Sequence, residues 1–368
     1  MPTLQRSLLA ALVLAAACAE QPLEPTPEVE RPALCCGGPA VYSATDLGLF
    51  PGGTFSRANA ISSANVVVGA ADFLAGGTLT TSAFTWFPGG TMQGLPMPAA
   101  GDDVAEAFDI NPAGRIVVQS RVSTSFSVRS YLWVPNANGV GGSYISIAPA
   151  GGGLHVDAMA VNASGTVVGC FGYGVELRPF RWSVGGGFVD LGVSTWGDSC
   201  AEDIDDAGNI VGWRTDASGG VALIRQSATF PFWVVESATW PGKGLGIASA
   251  AGSTTVVGYR QTATGSRATR AIVSPPTPYQ DLGLADSEAR ELAATGRIVG
   301  WRKVSVSLLK YKRAFTWHNG ASTDLPGISA HLGHRTAEGV NACGRIAGSG
   351  PAADGKIHAV YWSKPGCD

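Results

Sequence analysis

The sequence predicts an all-β fold, a seven-bladed β-propeller of four-stranded antiparallel blades. Two observations predict it. A short apolar motif is written seven times, centred on Val68-Gly69, Val118-Gln119, Val168-Gly169, Val211-Gly212, Val257-Gly258, Val299-Gly300 and Ala347-Gly348. The copies stand 50, 50, 43, 46, 42 and 48 residues apart, the period of solenoids and propellers. The segments between them are short, β-branched and punctuated by glycine turns, so each repeat reads as a meander of strands.

Within a unit, four strands follow in order. The first carries Asp-Leu-Gly or a close variant, as at Asp46-Leu47-Gly48, Asp190-Leu191-Gly192, Asp281-Leu282-Gly283 and Asp324-Leu325-Pro326. The second runs through Ala58-Asn59-Ala60-Ile61, Ala107-Phe108-Asp109-Ile110, Ala158-Met159-Ala160-Val161 and Ala201-Glu202-Asp203-Ile204. The third is the Ile-Val-Gly motif. The fourth ends in tryptophan at Trp86, Trp133, Trp182, Trp317 and Trp362, whereas units four and five lose it. A four-residue turn from Asn or Asp to Gly joins strands two and three, at Asn111 to Gly114, Asn162 to Gly165, Asp205 to Gly208 and Asn341 to Gly344. The Asn or Asp side chain bonds the backbone just downstream, and glycine takes the positive φ that closes the turn. The Ile-Val-Gly and Ala-Phe-x-Trp positions are the expected core. Two closures are open. Either repeats coincide with blades, or Val41 to Leu47 supply a strand to the last blade.

The repeats run from Val41 to Trp362 without an unrelated block, so 41–368 reads as one domain. Hydrophobic residues make up 45%, ample for its core. Charged residues are 14% against ~25% in an average globular protein. With a net charge of −3, nothing supports electrostatic capture of nucleic acid. Residues 1–18 read as a lipoprotein-type signal peptide. Arg6 is a positive n-region, and Leu8 to Ala17 form an apolar stretch too short to span a bilayer. Leu14-Ala15-Ala16-Ala17-Cys18 resembles a bacterial lipobox, which implies lipidation of Cys18. Ala15 departs from the usual leucine, and cleavage after Ala17-Cys18-Ala19 is the alternative. Ala19 after the cysteine resembles the pattern sent to the outer membrane. Residues 19–40 read as a Pro/Glu-rich tether. The expected address is therefore an outer-membrane or cell-surface lipoprotein, with a secreted or periplasmic protein as the alternative.

Seven cysteines fit an exported chain. With Cys18 lipidated, six remain, and they allow ~15 pairings. The repeat register suggests Cys170 with Cys200, joining adjacent blades, and Cys35 or Cys36 with Cys343 or Cys367, tying the chain ends.

The composite Asp-Leu-Gly … Ala-x-x-Ile-Asn-x-x-Gly-x-Val-Val-Gly … His-Ala-Phe-x-Trp resembles the bacterial extracellular HAF repeat. Leu47 to Ile61 and His358-Ala359-Val360-Tyr361-Trp362 match best. The other units have Ser82, Arg178 or Arg313 near the histidine position, which argues against catalysis by it. The resemblance implies an exported propeller-like protein and no particular activity.

In a meander, the loops after strands one and three leave the same face. These vary most, and function tends to sit on variable loops of a rigid scaffold. The candidate ligand residues are therefore Asp102, Asp103, His155, Asp157, Trp196, Asp198, Trp240, His331 and His334. Tryptophan and acid at such a mouth suit sugar or peptide binding. Chemical motifs fail. His331 and His334 are spaced to share a metal but have no third ligand nearby. Asp203 to Asn209 imitates a calcium loop without its terminal glutamate and reads as a hairpin turn. Neither GxSxG nor HExxH occurs. No catalytic residue, cofactor or metal is expected. The reading is a monomeric, non-enzymatic binding module for a polysaccharide or protein. The alternatives are a secreted glycan hydrolase or lyase and a purely structural envelope protein.

Overall fold

In the computed structural model, the described residues are 41–125, 127–138, 140–151, 155–173, 176–192, 197–215, 221–226, 234–235, 242–274 and 279–365. Every element among them is a β-strand. In chain order the strands are β1 (Ser43–Asp46); β2 (Ser56–Ile61), β3 (Val67–Ala75), β4 (Thr78–Trp86) and β5 (Gln93–Gly94); β6 (Val104–Ile110), β7 (Ile116–Arg121), β8 (Arg129–Pro135) and β9 (Gly142–Ile147); β10 (His155–Val161), β11 (Val167–Tyr173), β12 (Glu176–Ser183) and β13 (Gly187–Asp190); β14 (Ser199–Ile204), β15 (Ile210–Thr215), β16 (Val221–Gln226) and β17 (Val234–Val235); β18 (Gly242–Ala250), β19 (Ser253–Thr262), β20 (Gly265–Ser274) and β21 (Gln280–Ala285); β22 (Ser287–Leu292), β23 (Ile298–Val306), β24 (Leu309–His318) and β25 (Ala321–Asp324); β26 (Thr336–Val340), β27 (Ile346–Pro351) and β28 (Ile357–Ser363).

Each group is an antiparallel meander. The first two meanders form one sheet because Thr81 of β4 bridges Val104 of β6 in parallel. An equivalent parallel bridge joins Phe55, just before β2, to Ile357 of β28. The last meander is completed by β1, which pairs with β28 from Ser43↔Ser363 to Asp46↔Val360. Of the two closures open in the sequence, the chain uses the one in which its N-terminal segment supplies a strand. The repeat read from sequence is thus offset by one strand from the sheets, and the Asp-Leu-Gly strand is the outer strand of the preceding sheet.

The core lies between faces of successive sheets. Trp86, Trp133, Trp182, Trp317 and Trp362 are all nearly inaccessible, as are Phe84, Phe180 and Phe315. Tyr42 and Leu47, flanking β1, are buried in two of the clusters.

The Ile-Val-Gly glycine has a geometric cause. Each first strand carries a bulge opposite it, as between Ala58 and Ala60, Ala158 and Ala160, or Ala289 and Glu291. The bulge presses a carbonyl against the glycine. A Cβ on Gly69, Gly169 or Gly212 would stand 1.9 Å from that oxygen. In the second meander the register equivalent is Val118, one residue before the Gln119 expected from sequence. Nothing in the structure explains how a side chain is taken up there.

The turns behave as expected. Asn111 Oδ1 accepts from the N–H of Ala113 and Arg115, and Gly114 has φ +74. The asparagine also reaches sideways. Asn111 Nδ2 donates to the carbonyl of Asn162, Asn162 Nδ2 to that of Asp205, and Asn341 Nδ2 to that of Ser62. The last bond ties the final meander to the first. A disulfide joins Cys170 of β11 to Cys200 of β14, across neighbouring sheets and 30 residues of chain. Cys343 carries a free thiol, and Cys18, Cys35, Cys36 and Cys367 lie outside the described residues.

Candidate functional site: a cavity at the inner edges of the sheets

The first strand of every meander borders one cavity of about 290 Å³. The bulges aim the lining. Asn59, Phe108, Met159, Glu202, Leu245, Arg290 and Glu338 are the bulged residues of β2, β6, β10, β14, β18, β22 and β26, and all seven line the cavity. A bulge places two residues opposite one, so a side chain that strict alternation would pack between sheets turns to the open edge. The flanking residues are Ala or Gly in most sheets, which lets the inner strands converge. A Cβ on Gly339 would stand 2.8 Å from Ala60 Cα.

The residue after the bulge is an acid in three sheets: Asp109, Asp203 and Glu291. Each accepts a backbone N–H from its own strand, and two reach the next inner strand. Val161 N–H donates to Asp109 at 2.8 Å, and Ile247 N–H to Asp203 at 2.8 Å. Burial pushes the Asp109 carboxyl up to about 6, against its two backbone donors. Burial first, and then the charge of Asp109, push Asp203 up to about 7. Glu291 is raised well above its ordinary value by burial and by Asp203. The three carboxyls therefore sense one another across the cavity.

Asp109, Glu202, Asp203, Glu291 and Glu338 face one guanidinium, Arg290, which bonds Glu338 at 2.9 Å. Phe108, Met159 and Leu245 supply apolar surface. Such a lining can hold a ligand that combines hydroxyl or cationic groups with an apolar face.

Of the residues picked from the variable loops, the described ones lie elsewhere and are engaged in bonds of the scaffold. Buried Asp102 accepts from Ser120 Oγ at 2.6 Å and pairs with Arg129. Asp103 accepts from Ser123 Oγ at 2.6 Å. Three others bracket neighbouring sheets in one manner, because each accepts an N–H from within or just before the third strand of the preceding meander. Val128 donates to His155 Nδ1 at 3.3 Å, Leu177 to Asp198 at 2.9 Å, and Lys312 to His334 Nδ1 at 3.0 Å. The His155 proton is then on Nε2, which meets Asp157 at 2.6 Å. His331 Nδ1 donates to the Ala352 carbonyl at 2.7 Å. Among the described candidates only His155 and Asp157 bond each other. Trp196 and Trp240 lie outside the described residues. Among the described residues no group of three His, Cys, Asp or Glu is placed to hold a metal.

His358 is also engaged in bonds of the scaffold. His358 Nδ1 lies 2.8 Å from Asp46 of β1, the Asp of Asp-Leu-Gly, and Nε2 lies 3.3 Å from Asp354. The matching pairs in other sheets are Arg178–Asp190 at 2.8 Å, Arg267–Asp281 at 3.6 Å and Arg313–Asp324 at 3.5 Å. In the first sheet neither partner is charged. There Ser82 stands for the base and Gly94 for the acid, and Ser82 Oγ donates to the Leu95 carbonyl. The bulged residue was missed by sequence reasoning, although one signal exists: it is the single chemically variable position between small residues in strand after strand.

The chain matches no family model and no curated protein sequence. Among solved structures it is similar to a prolyl endopeptidase, with TM-score 0.52, 8% identity, and 87% of this chain against 51% of that one. This chain thus spans about half of that protein. It is also similar to TolB from Acinetobacter baumannii, with TM-score 0.42, 10% identity, and coverage of 81% and 80%. A gluconolactonase from Xanthomonas campestris gives TM-score 0.39 at 10% identity, with coverage of 88% and 90%. At such identities the likeness concerns the fold alone, an all-β, propeller-like arrangement.

Proposed function

We propose that the chain is an exported protein of the HAF-repeat type, lipid-anchored through Cys18 and folded as a closed seven-bladed β-propeller. It works as a non-enzymatic binding module whose polysaccharide or protein ligand enters the central cavity. The observation that carries this reading is the bulge in each of seven first strands, which delivers one side chain per meander, of six different kinds, to a shared space. A scaffold alone has no need of that variety, because the repeated polar residues elsewhere are paired with one another. The disulfide is compatible with export.

The test is an array of bacterial and plant glycans probed with the full chain. Saturable binding that is lost on Met159→Trp, which fills the cavity, supports the reading. Binding that survives Met159→Trp and is lost on Trp196→Ala or Trp240→Ala returns the site to the variable loops. A second reading, glycan hydrolysis or lysis, is favoured by one observation. Burial raises all three of Asp109, Asp203 and Glu291 above the ordinary carboxylate range, the direction a general acid requires. Product analysis with bound glycans separates the two, because turnover abolished by Asp203→Asn would make the chain an enzyme.

A further inference from the structure

We infer that the β23–β24 hairpin is a docking finger for an anionic phospholipid surface. This is a second interaction site, independent of the cavity and of any acyl group on Cys18.

The hairpin runs past the end of its sheet, pairing without a break from Ile298↔Trp317 to Val306↔Leu309. Side chains alternate along each strand, so the projecting segment has unlike faces. Val304 stands opposite Tyr311 and Val306 opposite Leu309, so one face is apolar. Lys303 stands opposite Lys312 and Ser305 opposite Lys310, so the other is basic and polar. No acidic residue occurs between Lys303 and Arg313. Lys303, Lys310 and Lys312 are three of the chain's six lysines, in a chain whose net charge is −3. Lys312 lies over the Trp301 ring, which leaves Lys303 and Lys310 uncommitted and exposed.

The tip is the second observation. Ser307 and Leu308 form the two-residue turn, and Ser307 takes φ +56. Turns of this kind favour Gly or Asn, as Gly76 and Gly77 serve the β3–β4 hairpin. Here Leu308 is 100% exposed, and Leu309 and Leu332 are each 59% exposed. Leu332 borders a small cleft with Val304, Val306 and Tyr311, whose other walls are the basic Lys312, Arg313 and Arg335. No folding requirement puts leucine at that tip. Leu74 and Leu79, also exposed, stand at the corresponding tip of the β3–β4 hairpin. The sheet containing β26 packs against both β22 and β2, so one sheet separates the two tips.

Apolar side chains at a tip, with uncommitted lysines beside them, fit the boundary between acyl chains and anionic headgroups. The leucines enter the hydrocarbon edge and the lysines remain at the phosphates. A neutral or basic surface would leave the lysines without partners, so charge complementarity selects the anionic lipid.

The experiment is vesicle flotation of the full chain carrying Cys18→Ser, so that no acyl group contributes. Neutral phosphatidylcholine vesicles are compared with vesicles containing a minority of phosphatidylglycerol. The anionic vesicles should carry more protein. Lys303→Gln with Lys310→Gln should lower that binding about thirtyfold, and Leu308→Ser with Leu309→Ser about tenfold or more. Both variants should keep the parent's thermal midpoint, because these side chains are exposed. Any binding by the N-terminal apolar segment is common to all variants and drops out of the comparison. The proposal is overturned if the leucine variant floats with anionic vesicles as the parent does. It is equally overturned if the parent shows no preference between the vesicles, which would leave an acidic protein or a second copy as the occupant.

Discussion

The outer and inner edges of these sheets use polar residues in opposite ways. At the outer edge, Asp190, Asp281, Asp324 and Asp46 recur in one place, and each meets a base two residues before its register partner: Arg178, Arg267, Arg313 and His358. The chemistry is repeated because the task is repeated, which is to hold the outer strand. At the inner edge the repeated feature is the backbone bulge, while the side chain it presents runs from Asn59 through Phe108 and Met159 to Arg290 and Glu338. A conserved geometry with unconserved chemistry within one chain marks the place where residues answer to something other than the fold.

The comparison can be broken at several points. The largest effect is expected from deleting residues 41–48. This removes β1 and the buried Tyr42 and Leu47, and it leaves β28 with an unpaired edge. Circular dichroism should show no cooperative unfolding transition, and an unchanged midpoint would mean that β1 is dispensable. Next comes Gly300→Ala. Its Cβ would stand 2.0 Å from the Glu288 carbonyl, and the strain should cost about 3 kcal/mol in urea unfolding. Little change would show that the bulge can relax, as it must beside Val118. A loss of similar size, about 3 kcal/mol, should follow Cys170→Ser with Cys200→Ser, because the 30-residue loop is no longer closed in the unfolded chain. Reductant should then destabilise the parent and leave the variant unmoved. The smallest effect belongs to the outer-edge pairs. Arg178→Gln should cost less than about 1 kcal/mol, since both partners are partly exposed and screened.

Much of this was legible in the residues. The Asn-to-Gly turns, the tryptophan core and the Cys170–Cys200 pairing follow from repeat register, because each depends on a local conformation or on one fixed offset. The purpose of His358 could have been found in the same way. Wherever Asp-Leu-Gly or Asp-Leu-Pro ends an outer strand described with its partner strand, a base stands at a fixed place before it. In the first sheet Ser82 and Gly94 lose both charges together. The cavity was not legible. Reading strands as strict alternation hides a bulge, and a bulge is what turns Met159 or Glu202 out of the packed interface. The loop residues misled for the converse reason. His155, Asp198 and His334 vary in sequence, yet each does the same work by accepting a backbone N–H from the neighbouring sheet. Variability on a loop can reflect several side chains solving one structural problem.

Stability as a function of pH, for the parent and for Asp203→Asn, tests whether inner strands of different sheets face one another across a single cavity. Folded Asp203 and Asp109 hold protons up to about 7 and about 6, whereas an unfolded Asp releases them near 3.8. Between those values the folded state binds more protons than the unfolded one, so stability falls as pH rises through that window. We expect the parent to lose about 1–2 kcal/mol between those limits, after screening by cavity water. Asp203→Asn should flatten the profile, because it removes the carboxyl that burial and the charge of Asp109 raise to about 7. A parent profile that is flat, or that rises toward neutrality as for ordinary exposed carboxylates, would contradict the shared cavity.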